Sequence, residues 1–441
     1  MNYEIAIVGG GILGSSIAYW LSETSFARTV VIEKNSNVGL EASSRNTGNL
    51  HRPFYLDPIA RKKFAIAADL GYDMWKKMAK AEEETGLLPW KEMGTLELAT
   101  DEQQMETLRK YVEWGKRNGM REEEMMLFED GEKVKILAPV ECVGALLCKT
   151  DAAVDFGVFT KYLRSHSEEC GVKFSLNSEV GDVVCKEDSV DVFLKGRQEP
   201  VNAKLLVNCA GGNAVDIAHK CGLGLEYTDL HFRGDYWIVD PYFGREFSCN
   251  IYTVPEHPKF QFLDPHLIIK ADVSYEIGPS AVPVAGPDNY ESLGLLNAPA
   301  KLLERPVMNK LRLAANTEFL SLAFNELRHL SKEGMIKRMN RFIPSLKPSH
   351  IIRKGASGIR HSLISPNGSF IPEAIELSDK HSYHVLNYNS PGASGAIAYA
   401  AYVVNDINEQ LPGRLRRTVQ RRGLFDFDDV VRRFGEQVVS R

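Results

Sequence analysis

The chain has 441 residues, 44% of them apolar and 25% charged, and a formal net charge of −5. That length supports a large core and about two domains, and the charge balance gives nucleic acid no electrostatic footing. Seven cysteines show no CxxC pair and no Cys/His ladder of zinc spacing. They read as scattered reduced thiols, with no metal centre expected.

Residues 5–8 form a short apolar run of the kind a buried parallel strand needs. Gly9-x-Gly11-x-x-Gly14 follows at once, and residues 15–21 open a helix. In such a turn one glycine permits the reversal, one admits a pyrophosphate against the backbone, and one lets helix and strand pack closely. Phosphate would sit on the helix N-terminus, with Ile12 and Leu13 beside it. A second strand, 29–32, ends in Glu33, about twenty residues on, where an acid is expected to hold a ribose hydroxyl. The pattern predicts a dinucleotide site. With its strand beginning at residue 4 there is no room for a signal peptide. The apolar segment 393–404 is too short to span a bilayer, so a cytoplasmic location is expected.

After Glu33 the chain becomes polar and glycine-containing from Lys34 to His51, too polar for a core element. Here it resembles the FAD-dependent D-amino-acid-oxidase superfamily, and within it the L-2-hydroxyglutarate dehydrogenase/oxidase family. The resemblance is carried by residues 44–48 with His51, then 154–157, 206–211, 232–236, 262–267, 278–282, 358–360 and 390–393, in consistent order to about residue 405. It implies FAD as cofactor; covalent attachment through histidine or cysteine occurs in the superfamily, but no residue here marks a linkage site, and noncovalent binding is expected. It also implies a flavin-facing set comprising Gly9, Gly11, Ile12, Leu13, Gly14, Glu33, Lys34, Ser43, Ser44, Arg45, Asn46, Thr47, Gly48, Val180, Ala210, Gly211, Gly358, Pro391, Gly392, Ala393 and Ser394.

Further along, 59–85 and 101–119 have the spacing of amphipathic helices, and the acidic run 122–124 reads as a solvated surface. Residues 172–176, 180–185 and 190–194 are short strands at hairpin spacing, and 205–213 repeats the strand-into-glycine device. From 226 to 350, strand-like runs give way to long helices between 299 and 340. The expected fold is α/β, with a Rossmann-like FAD-binding domain (1–85, 150–225, 350–410) interleaved with a mixed-sheet α+β substrate domain (86–149, 226–349). Residues 411–441 are expected to form a basic C-terminal tail, read as a solvated face or subunit contact, with a peripheral membrane contact as the minority reading.

Oxidising an alcohol removes a hydride from carbon and a proton from oxygen, so the protein must supply a base, and histidine suits that task. His51 and His266 match histidine motifs of the resembled family, while His166, His219, His257 and His329 have no such context and His361 is left open. For an anionic substrate Arg360 is the first candidate cation, with Arg233, Arg52 and Tyr55 as further substrate contacts. The stretch after His51 departs from the family pattern at Arg52, a residue that would suit a phosphate. The expected activity is oxidation of a small anionic 2-hydroxy acid such as L-2-hydroxyglutarate, with quinone or oxygen as electron acceptor. sn-Glycerol-3-phosphate oxidation is the nearest rival, amine substrates come third, and a non-catalytic flavin-binding protein is the rival of another class. A homo-oligomer is left open.

Overall fold

In the first strand Ile5 and Ile7 face one side and Ala6 and Val8 the other, and both sides are buried. A strand covered on both faces belongs in the middle of a layered sheet. The computed structural model describes residues 2–258, 260, 264–328, 330–410 and 423–440. Its eight-stranded sheet runs Val180–Cys185, Val190–Leu194, Val201–Asn208, Asn2–Val8, Thr29–Ile32, Lys173–Ser175. Ser382–Leu386 adds to Val201–Asn208, and Ile375–Ser378 adds to Ser382–Leu386. The inner pairings are parallel, and the outer hairpin is antiparallel. Strands from three separated stretches of chain thus meet in one sheet.

Helices Ile12–Thr24, Lys62–Ala81, Phe156–Glu169 and Gly392–Gln410 cover one face, with Trp20, Trp75 and Tyr399 fully buried among them. Two of these helices touch through glycine: a Cβ on Gly71 would lie 2.2 Å from the Ser394 carbonyl oxygen. Trp75 donates its indole N–H to that same oxygen at 3.0 Å. The first turn of Gly392–Gln410 is therefore fixed in place by the core.

A second, nine-stranded sheet runs Val282–Val284, Thr228–Val239, Tyr275–Gly278, His266–Ile269, Asn250–Thr253, Thr95–Ala99, Gly144–Cys148, Met125–Phe128. Ile351–Ile364 pairs along Thr228–Val239. A small third sheet joins Asn49–Leu50, Ala152–Val154 and Trp90–Glu92. The fold is α/β with mixed sheets, as the sequence predicts.

Three expectations are corrected. The long helices expected over 299–340 are four short ones, Ala298–Leu303, Val307–Ala314, Thr317–Arg328 and Lys332–Met339. Pro306, which cannot continue a helical ladder, stands at one break, and Ser331 caps the last helix. The end of the chain is not all a basic tail. Helix Phe427–Ser440 packs Phe427 against Trp20 and stacks Phe434 on Tyr402, because its apolar residues share one face. The basic cluster at 414–422 lies outside the described residues, as do His329 and residues 262–263 of the histidine motif. Glu124, finally, is buried rather than solvated. Among the described residues no helix is long and apolar enough to cross a membrane.

Candidate active site

A cavity of about 350 Å³ runs from the first glycine turn to the floor of the nine-stranded sheet. At the nucleotide end Gly9 has φ +102°, a left-handed value that favours glycine. A Cβ on Gly14 would lie 2.0 Å from the Gly9 carbonyl oxygen. Helix Ile12–Thr24 starts at Gly11 with no side-chain cap and no acid in its first turn, so its positive end is open to an anion. Ser43 accepts the Ile12 N–H at 2.9 Å, pinning the loop that follows Glu33 across the helix start. Glu33 accepts N–H bonds from Gly10 (2.7 Å) and Asn35 (2.8 Å). A helix start with no acid in its first turn, glycines that let the turn close tightly and a long cavity beside them fit a flavin dinucleotide.

The other end is built around His51. Its Nδ1 lies 3.1 Å from Asp151 Oδ2. Asp151 is fully buried and also accepts the Arg52 N–H (2.7 Å) and the Thr95 hydroxyl (2.7 Å). Burial alone would raise the Asp151 carboxyl, but the bond from His51, its charge and these donors hold it below the usual carboxylate range. A carboxylate on Nδ1 puts the imidazole proton there and leaves the lone pair on Nε2. The ring sits edge-on to Tyr55 and Tyr252, with centroids 5.4 and 5.5 Å away. Ser394 accepts the His51 backbone N–H at 3.0 Å, tying the histidine to the clamped helix start.

His266 is held differently. Its Nδ1 lies 3.1 Å from the Asp264 carbonyl oxygen, its ring stacks on Tyr252 at 4.1 Å, and its buried Nε2 has no hydrogen-bond partner among the described residues. Burial, against the weaker pull of the Asp264 carbonyl, drops its pKa to about 3. It is a neutral acceptor aimed from the cavity wall. Arg360 pairs in register with Phe232 and lines the same cavity. Burial and the nearby Arg61 charge lower its pKa to about 10, so it remains a cation at neutral pH.

Of the sequence-predicted residues, the cavity brings together Gly11, Ile12, Leu13, Ser43, Arg45, Asn46, Thr47, His51, Tyr55, Gly211, His266, Gly358, Arg360, Pro391, Gly392, Ala393 and Ser394. His361, left open from sequence, lines it too. Gly9, Gly14, Glu33, Lys34, Ser44, Gly48, Val180 and Ala210 are not among the lining residues. Gly9, Gly14 and Glu33 shape the turn behind the wall, Lys34 pairs with Asp288 and Glu41, and Val180 begins the outer hairpin and packs against its buried valines.

Two arginines depart from expectation. Arg52 does not face the cavity: its guanidinium lies 3.2 Å from Asp69 and 3.3 Å from Glu124, over the Tyr72 ring. Its side chain is held inside the protein by these carboxylates while its backbone N–H serves Asp151. Arg233 is likewise turned away, onto Asp235 (3.0 Å) and the Ser292 carbonyl (2.9 Å). Sequence reasoning missed Asp151, Tyr252 and Glu97. Asp151 contacts a histidine 100 residues away, so no local spacing marks it.

A family model described as FAD dependent oxidoreductase matches residues 4–405. The chain belongs to the FAD-dependent oxidoreductase family. It is 27% identical over 419 residues to the mitochondrial L-2-hydroxyglutarate dehydrogenase of Caenorhabditis elegans, covering 92% of this chain and 93% of that one. It is 25% identical over 435 residues to the L-2-hydroxyglutarate dehydrogenase of Escherichia coli K12, covering 95% and 97%. Among solved structures, the FAD-bound L-alpha-glycerophosphate oxidase of Mycoplasma pneumoniae superposes with a TM-score of 0.73 at 19% identity, covering 96% and 97%. Glycine oxidase from Geobacillus kaustophilus gives 0.69 at 17%, covering 94% and 96%. These structural likenesses establish the shared fold. In this FAD-dependent oxidoreductase the two histidines and Arg360 line the same cavity as the glycine turn.

Proposed function

We propose that this oxidoreductase oxidises a small anionic 2-hydroxy acid to its 2-oxo acid, with L-2-hydroxyglutarate the leading candidate. The observation that carries the reading is the His51–Asp151 pair in one cavity with Arg360. FAD, when bound along the glycine turn and the 390–394 segment, supplies the two-electron acceptor for the hydride on the substrate's C2. The remaining work belongs to the chain. Arg360 holds the substrate carboxylate through its planar fork. Nε2 of His51 takes the hydroxyl proton, and Asp151, below the ring, stabilises the imidazolium that results. His266, whose protonation is costly, does not serve as the base; its neutral ring, stacked on Tyr252, shapes the wall beside the reacting carbon. The tyrosines around His51 exclude water from the exchange.

The first-turn segment of Gly392–Gln410 lines the flavin end and would steady negative charge on a reduced cofactor. The acceptor that reoxidises it is a quinone or oxygen. The phosphate rival loses its anchor, since Arg52 is committed to Asp69 and Glu124. Anaerobic addition of L-2-hydroxyglutarate to the purified flavoprotein should bleach its flavin absorbance, and sn-glycerol 3-phosphate should not. Bleaching by the phosphate alone would reverse the assignment.

A further inference from the structure

We propose that Glu97 grips the end of the substrate remote from Arg360, through a hydrogen bond from its carboxyl group, and so sets a preference for a dicarboxylic hydroxy acid. The proposal rests on the hydroxy-acid reading above. Its basis is the order of strands under the cavity. From Ile351–Ile364 the sheet passes through Thr228–Val239, Tyr275–Gly278, His266–Ile269 and Asn250–Thr253 to Thr95–Ala99. In that strand order the cavity is lined by Arg360, which pairs with Phe232 four residues from Tyr236, then by Tyr236, His266, Tyr252 and Glu97. His266 and the two tyrosines lie between a cation and a carboxyl.

Alternation along Thr95–Ala99 fixes where Glu97 points. Leu96 and Leu98 enter the second core, while Thr95, which holds Asp151, shares the cavity face with Glu97. Tyr252 lies in register beside it on the parallel neighbour. Glu97 is 6% exposed, and its side chain makes no hydrogen bond or ion pair with any described residue. Its carboxyl faces the cavity with no partner among the described residues, so it is free to pair with what the cavity holds.

The groups around it set its protonation. Asp151 and Asp264 act on it as carboxylates, and the Tyr55 and Tyr111 phenols feel its charge. Cys148, on the other flanking strand, is turned onto Asp151. Arg360 acts on Tyr55, between the two ends. Burial first, then Asp151 and Asp264, push the Glu97 carboxyl well above its ordinary range. In its neutral form Glu97 donates its O–H to the substrate's distal carboxylate, and once ionised it repels that group. Affinity for a dicarboxylate must therefore fall as pH rises through the ionisation of Glu97, while affinity for a monocarboxylate does not.

The test compares binding of 2-oxoglutarate and 2-oxobutyrate, which lacks the distal carboxylate, to the flavin-loaded protein by calorimetry across the whole pH range in which the protein stays folded. Wild type should bind 2-oxoglutarate at least about tenfold more tightly at the acid end, as a hydrogen bond to a charged group predicts, and lose the preference at the alkaline end. Glu97→Gln keeps a donor that cannot ionise, so its preference should persist across the range. Glu97→Leu should abolish it while leaving 2-oxobutyrate binding intact, which also shows that the variant is folded. A preference that survives in Glu97→Leu, or a Glu97→Gln profile that falls like wild type, would overturn the role of Glu97 and leave the hydroxy-acid reading standing. Failure of both oxo acids to bind would overturn that reading and this one with it.

Discussion

At one end of the cavity the wall comes from a single turn of chain, Gly11 to Leu13, with a loop pinned across it by Ser43. At the other, Arg360, His266, Tyr252 and Glu97 each arrive on a different strand, and His51 comes from a fifth segment tied to Ser394. The first end is defined by what is missing, namely side chains at Gly9 and Gly14. The second is defined by pairs, such as His51 on Asp151 and His266 on the Asp264 carbonyl. A site built from absent atoms should fail outright when an atom is added. A site built from pairs should fail by degrees, according to which partner is removed.

The largest effect is expected at the glycine end. Gly14→Val would drive its Cβ into the Gly9 carbonyl, and the turn cannot close around it. The purified variant should retain no flavin, read directly from its absorbance spectrum. Next comes His51→Asn, which removes the base and should slow anaerobic flavin reduction by roughly 10²- to 10⁴-fold with cofactor content unchanged. His266→Asn should cost less, since that ring shapes the wall and is not the base.

Arg52 separates structure from binding. Arg52→Met leaves Asp69 and Glu124 without their cation and should destabilise the fold by about 3–5 kcal/mol, measured by denaturant unfolding. Any surviving folded protein should keep its KM. Arg360→Met should do the reverse, raising KM by roughly 30-fold or more with little change in melting temperature.

The smallest effect concerns pH and lies outside the cavity. His384, fully buried, accepts from Asn208 at 2.9 Å, and burial lowers its pKa to about 4. The unfolded chain binds a proton at this residue near pH 6.5, whereas the folded protein does not until about pH 4. Lowering the pH through that window therefore favours unfolding by about 2 kcal/mol from this group at pH 5. His384→Asn keeps an acceptor for Asn208 and removes the titration, so the stability lost between pH 7 and pH 5 should shrink by about that amount in denaturant melts.

The two ends also differ in how far they can be read from the chain. The glycine turn is local, so strand, glycines, helix and Glu33 reveal it in order. His51 and His266 are legible through their motifs, and Arg360 through the run before it. Asp151 is not, because it looks like a polar residue ahead of a short strand and its role appears only when residues 100 apart meet. Arg52 misleads for the same reason. Its counter-charges Asp69 and Glu124 lie on a helix and in a 3-10 turn, and no periodicity connects them to residue 52. Glu124 in turn hides inside an acidic run whose other two members are exposed. Glu97 reads as one charge in an otherwise apolar strand until the register sets it beside Tyr252.

The measurement that bears most directly on the central claim is single-turnover flavin reduction by L-2-hydroxyglutarate in wild type and Asp151→Asn. The account predicts bleaching in wild type and a rate lower by roughly 10²-fold or more in the variant, with substrate affinity unchanged. Equal rates in the two proteins would contradict the assignment of His51, backed by Asp151, as the base.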